Sequence, residues 1–192
     1  MGRSDKCGFT LIELMITLAL LAVLLGLAVP FITTAIRNAS VRSASEALQN
    51  GLRTAQAEAV RRNRQTVFSL TNEEPGLDSA AAANGANWAI HTVPRADEGH
   101  EFVQGGALSD LTRGATIEGP ASICFNSAGR LVGNAGPGVD GANCEVQQLF
   151  EYTVKAEGAD RPLTVQVTLG GQVRMCEPTK KLSSESPQGC KP

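Results

Sequence analysis

Gly8-Phe9-Thr10-Leu11-Ile12-Glu13-Leu14-Met15, with the apolar run that follows to Val29, constrains this chain more than any other stretch. A short leader carrying Arg3 and Lys6 ends in Gly8. The run then begins, with one carboxylate, Glu13, near its start. A carboxylate in hydrocarbon is costly, so Glu13 marks a functional site by default. A secretory signal peptide would use Arg3 and Lys6 as its n-region and Leu14 to Val29 as its h-region. It has no use for a glutamate at the mouth of that run, and its cleavage site near Ala28 would abut Pro30. A plain single-pass anchor meets its length requirement of about 20 residues but leaves Gly8-Phe9 and Glu13 unexplained. A buried core helix would not need a basic leader.

The octet and its apolar tail resemble the class III signal of type IV prepilins and type II secretion pseudopilins. The resemblance implies cleavage between Gly8 and Phe9 by a membrane prepilin peptidase and N-methylation of Phe9. It makes Glu13 the fifth residue of the mature chain, paired with the terminal amine of an adjacent subunit. An unpaired carboxylate in a low-dielectric helix bundle costs several kcal/mol, so such a pair sets the register of docking. The plainer alternative is that Glu13 snorkels to the headgroups. The implied location is the bacterial inner membrane, single-pass, with the basic leader cytoplasmic and the C-terminal domain periplasmic, then a pilus or pseudopilus. The implied partners are other pilins or pseudopilins, the peptidase, and an inner-membrane assembly platform with its ATPase. The sequence has no Walker-type glycine loop, so the energy of assembly must come from that partner.

The 192 residues allow one modest domain beside a membrane helix. The net charge is −2, and loss of the leader makes it more negative, which excludes coating nucleic acid through bulk charge. Few aromatics and 20 glycines suit a small β-rich domain with long loops. Of five cysteines, Cys7 lies in the leader. Cys124, Cys144, Cys176 and Cys190 lie beyond the apolar run, where an oxidising compartment allows three pairings. Cys124–Cys144 and Cys176–Cys190 are favoured, because each encloses a Gly/Pro-rich or Ser-rich loop with little else to hold it. Each bridge would stabilise by about 3 kcal/mol in the chain-entropy model. No CxxC or paired histidine points to zinc.

One long helix is expected over 9–64, with about 9–30 crossing the membrane and about 37–64 amphipathic. Pro30 removes a backbone donor and predicts a kink or local melting. Val41, Ala44, Leu48, Leu52, Ala55 and Ala59 form a stripe at steps of three and four, opposite Arg42, Glu46, Gln49, Arg53 and Glu58. At 1.5 Å per residue the helix would be about 80 Å long, far more than a bilayer needs. Arg61, Arg62 and Arg64 offset the C-terminal dipole or, in a sharper reading, meet phosphate or an acidic neighbouring subunit.

Beyond Arg64 the period becomes two. Strands are expected at 66–70, 87–93, 115–117, 122–125, 130–132, 149–154, 163–169 and 172–176. Asn126 to Gly129 and Gly170-Gly171 read as hairpin turns. Residues 73–86, 95–101 and 133–143 read as loops, the alanines at 80–83 as uninformative, and 176–192 as an irregular tail. The fold class is α+β, a long helix on a small antiparallel β domain, divided as leader 1–8, helix 9–64 and β domain 65–192. Phe125 to Arg130 and Gly171 to Cys176 resemble the C-terminal domain of the GspH/FimT group of minor pilins and pseudopilins.

Catalysis finds little support. His91 and His100 are the only histidines, and no Ser/His/Asp set stands out. No cofactor is expected. Asp97, Glu98, His100 and Glu101 read as a solvated loop rather than a metal site. The favoured function is a structural minor pilin or pseudopilin that is processed and enters, or primes, the filament. The alternative is a FimT-like DNA receptor for DNA uptake. That group binds DNA through a C-terminal Gly-Arg-x-Arg motif, whose place here reads Gly171-Gln172-Val173-Arg174. Gln172 can hydrogen-bond a phosphate but releases no counterion. Arg174, Arg130, Lys180 and Lys181 complete that alternative patch.

Overall fold

The structure, a computed structural model, describes residues 10–95, 98–108 and 114–191, without the side chains of 27–31. The leader, Phe9 and Asp97 lie outside these residues. The chain divides into two units, 1–36 and 37–192. Helix α1 spans Leu11–Arg61. The helix is unbroken through Pro30, so the expected local melting is absent. The helix ends three residues before the expected Arg64. Asn63 takes a left-handed φ of 46°, and the Arg64 N–H then bonds the Ala59 carbonyl at 3.0 Å while the Asn63 N–H bonds the Val60 carbonyl at 3.2 Å. This is a Schellman closure with asparagine in the glycine's place.

Among the described residues of the second unit, ten strands form two five-stranded sheets. They are β1 (Thr66–Thr71), β2 (Asn87–Thr92), β3 (Phe102–Ala107), β4 (Ala115–Glu118), β5 (Ser122–Phe125), β6 (Leu131–Val132), β7 (Leu149–Ala156), β8 (Leu163–Thr168), β9 (Val173–Lys181) and β10 (Gly189–Cys190). One sheet runs β3-β2-β1-β5-β6 and the other β10-β9-β8-β7-β4. Among the described residues, all pairings are antiparallel except β9 with β10.

The α1 stripe closes on both sheets. Val41, Ala44, Leu48, Leu52, Ala55 and Ala59 are buried in one core with Phe68, Trp88, Ile123 and Phe125 of the first sheet and Tyr152, Val154, Val165 and Val167 of the second. Alternation alone would leave the far face of the first sheet in water, yet β1 and β2 are buried at every position. Loops 73–86 and 133–148 supply the missing cover. Val67, Cys124, Val139, Ala142 and Cys144 form a second small core, with Ala81 packed against it. The alanine run is therefore not inert. His91 belongs to this layer, fully buried, with its Nε2–H donated to the Gly76 carbonyl at 2.9 Å. Burial pushes its pKa down.

Two further expectations need correction. Strand β3 falls at 102–107, where no strand was expected. Here the glycines make room: a Cβ on Gly106 would lie 2.7 Å from the Trp88 ring and one on Gly51 of α1 2.9 Å from it. The C-terminal tail is also not irregular. β9 extends to Lys181, the Cys176–Cys190 bridge ties it to β10, and Lys180 pairs with Glu177 at 2.6 Å. Cys124 is bonded to Cys144.

Tyr152 is fully buried and its hydroxyl has no partner among the described residues, a state that costs about 1–3 kcal/mol of desolvation. Tyr152→Phe is expected to leave stability unchanged or raise it by about 1 kcal/mol, measured by urea unfolding. A loss above that size would mean the hydroxyl is bonded.

Candidate functional site

The N-terminal end of α1 is built around Glu13. Thr10 precedes the first helical residue, and its hydroxyl oxygen accepts the Glu13 N–H at 3.3 Å while its O–H reaches Glu13 Oε2 at 3.4 Å. Thr-x-x-Glu is the spacing of a helix N-terminal cap, a signal that the sequence carried and the apolar reading passed over. The carboxylate has this neutral hydroxyl beside it and no ion pair among the described residues. Around it, Leu11, Ile12, Leu14, Met15, Ile16 and Leu18 are each more than half exposed. Among the described residues no helix is long and apolar enough to cross a membrane.

At the other end, α1 is fastened to the β structure by polar groups. Gln56 donates its amide Nε2 to the Gly129 carbonyl at 2.7 Å and to the Gly171 carbonyl at 2.9 Å. Each glycine sits in a hairpin turn, Gly129 with φ 72° and Gly171 with φ 86°. A Cβ at Gly171 would stand 2.0 Å from the Gly129 carbonyl oxygen. No side chain fits, and the left-handed φ favours glycine as well. One amide thus fixes two turns drawn from separate sheets. Nothing in the local pattern around Gln56 announces this role.

The basic end of the helix is neutralised from within. Glu58 takes hydrogen bonds from Arg61 Nη2 at 2.6 Å and Arg62 Nε at 2.7 Å. Those two guanidinium bonds hold its pKa down, from 4.5 to about 2. Arg62 also reaches Glu101 at 2.7 Å, and Arg64 reaches Glu98 at 2.9 Å and the Val93 carbonyl at 2.9 Å. The arginines do more than offset the dipole: among the described residues they pair with the chain's own carboxylates. The same pairs occupy Glu98 and Glu101, two of the four loop residues weighed as metal ligands.

The DNA-contact candidates differ in what holds them. Arg174 turns its Nη2 onto the Pro187 and Gly189 carbonyls, at 2.5 and 2.9 Å, and so holds the β9–β10 return. Lys180 is paired with Glu177. Gln172 is exposed and accepts from Lys191 Nζ at 3.4 Å. Arg130, in the β5–β6 turn, and Lys181, at the end of β9, are exposed and make no ion pair among the described residues.

Two family models match the sequence. One, the prokaryotic N-terminal methylation motif, covers residues 3–29. The other, described as type II transport protein GspH, covers residues 44–171. No curated protein matches significantly. Among solved structures, the type IV minor pilin FimU of Pseudomonas aeruginosa is 18% identical with a TM-score of 0.49, covering 78% of this chain and 99% of that one. The minor pseudopilin EpsH of the Vibrio cholerae type 2 secretion system is 12% identical with a TM-score of 0.49, covering 73% and 99%.

Gln56→Ala strands two turn carbonyls and is expected to cost about 1–3 kcal/mol of stability, read by thermal unfolding of the full chain. Glu58 adds stability that is complete above pH 4.5, its unfolded value, and lost as pH falls toward about 2. Glu58→Gln should therefore be less stable than the native chain at pH 7, with the gap closing on acidification through that window. A gap that stays constant with pH would exclude the ionic origin.

Proposed function

The chain belongs to the type II transport protein GspH family, and from that membership we propose that it is a structural minor pilin or pseudopilin, trimmed at Gly8 and built into a filament through Glu13. The reading rests on one observation above all. A carboxylate stands at the head of an apolar helix with a neutral hydroxyl beside it and no cation among the described residues. The methylation motif matched over 3–29 supports the companion half. A cut after Gly8 frees an ammonium on Phe9, the cation that the carboxylate of an adjacent subunit lacks. The pair removes a penalty of several kcal/mol in the bundle and leaves it standing when a subunit docks out of register.

In this reading, residues 1–8 are the cleaved leader and Phe9 is N-methylated. The helix over 9–64 anchors the mature chain in the inner membrane by its first part, about 9–30. Residues 65–192 form the periplasmic β domain. Other pilins or pseudopilins surround it. The prepilin peptidase processes it, and the assembly platform with its ATPase supplies the work. The role is structural, with no catalytic step assigned to any residue.

Mass spectrometry of the exported protein should find N-methyl-phenylalanine, from Phe9, as its first residue. Glu13→Ala should remain in the membrane fraction yet drop at least about tenfold from sheared filaments or from co-purification with partner pilins, the equivalent of about 1.4 kcal/mol. A different first residue, or normal co-purification of the variant, would overturn the proposal.

A further inference from the structure

Strand β7 is longer than its partner on one side can cover. β8 pairs it over 149–154, but β4 pairs it only over 153–156. Residues 149–152 therefore meet no strand on the β4 edge among the described residues. The cause is local. β4 stops at Glu118, and Gly119 crosses so near Tyr152 that a Cβ would lie 2.4 Å from the ring. Gly119 gives its N–H to Asn84 Oδ1 at 2.9 Å and accepts the Asn84 N–H at 3.2 Å. Pro120 has no N–H to offer β7. The chain peels away and joins the other sheet as β5. Between the two lies a cavity of about 450 Å³, walled by residues 120–122, by 149–151 and by the loop 141–147.

Its walls differ in what they leave unused. On the β5 side, the Ala121 carbonyl accepts the Leu70 N–H at 2.9 Å and the Ser122 hydroxyl accepts the Asn143 N–H at 3.0 Å. On the β7 side an unpaired strand edge remains, and such an edge is a template for another strand. Two carboxylates, Glu145 and Glu151, line the same cavity. Their hydrogen-bond partners are neutral amides, Gln147 Nε2 at 3.2 Å and Gln166 Nε2 at 2.7 Å. Neither meets a cation among the described residues.

We propose that residues 149–152 accept an extended, basic segment of a neighbouring protein subunit as an added strand, with Glu145 and Glu151 receiving its Lys or Arg side chains. Three β7 residues line the cavity and span about 10 Å, room for three or four residues of the incoming chain. Main-chain hydrogen bonds hold the segment, and the carboxylates select it. The source of the segment rests on the reading of this chain as a filament subunit; the chemistry of the slot does not.

The test uses the full chain in non-ionic detergent and two fluorescent five-residue acetylated peptides, one alternating valine with lysine and one alternating valine with glutamate. The lysine peptide should bind about tenfold tighter, the worth of two exposed ion pairs, and should slow amide exchange at 149–152. The Glu145→Gln/Glu151→Gln double variant, which preserves shape, should lose the preference, and Glu145→Lys/Glu151→Lys should invert it. Equal affinities, protection at another strand, or self-association of the chain through this edge would each overturn the slot. Failed peptide binding by a chain that still enters filaments removes the slot alone. Intact peptide binding by a chain that never enters them removes the filament reading alone.

Discussion

Two sheets that share little backbone ladder are held as one unit by a single stripe of α1. Val41, Leu48 and Leu52 are fully buried between them, each worth about 1.5–3 kcal/mol of apolar burial. Ala44, Ala55 and Ala59 are small, so the helix axis comes close enough for Phe68 and Phe125 of one sheet and Tyr152 and Val165 of the other to meet in one core. Apolar packing of this kind is strong but not directional. It brings the helix to the sheets without fixing how far it slides.

Polar groups provide that fix. The Gln56 amide is answered by two turn carbonyls that are far apart in sequence. Glu58 gathers Arg61 and Arg62, and Arg62 and Arg64 reach the loop after β2 through Glu101 and Glu98. Nearer the start of this unit, Asn38 bonds Asp160 Oδ1 at 2.6 Å. A sliding helix would break all of these together, so register is set by a few directional bonds laid over a forgiving apolar contact.

Carboxylates at three places in the chain differ in what answers them. Carboxylates at the α1–β junction are matched by the chain's own arginines. Those at the helix mouth, Glu13, and at the β7 slot, Glu145 and Glu151, have only neutral neighbours. Internal closure at the first set and openness at the second suit a protein completed by other subunits. The family membership and the proposed assembly agree with that division.

The local part of this architecture is legible in the residues. A helix stripe at steps of three and four, strands of period two and Gly-rich turns are properties of neighbours along the chain, and 41–59, 66–71 and 163–168 declare them. Strand β3 was hidden because its Gly106 serves the Trp88 ring, a partner distant in sequence. The β9 extension was hidden because charged Lys180 and Lys181 read as tail. Gln56, and the edge that β4 leaves open, could be seen only in three dimensions. Their meaning lies in carbonyls and strand ends 73 to 115 residues away for Gln56, and no local period encodes which distant groups chain closure will bring within hydrogen-bond reach.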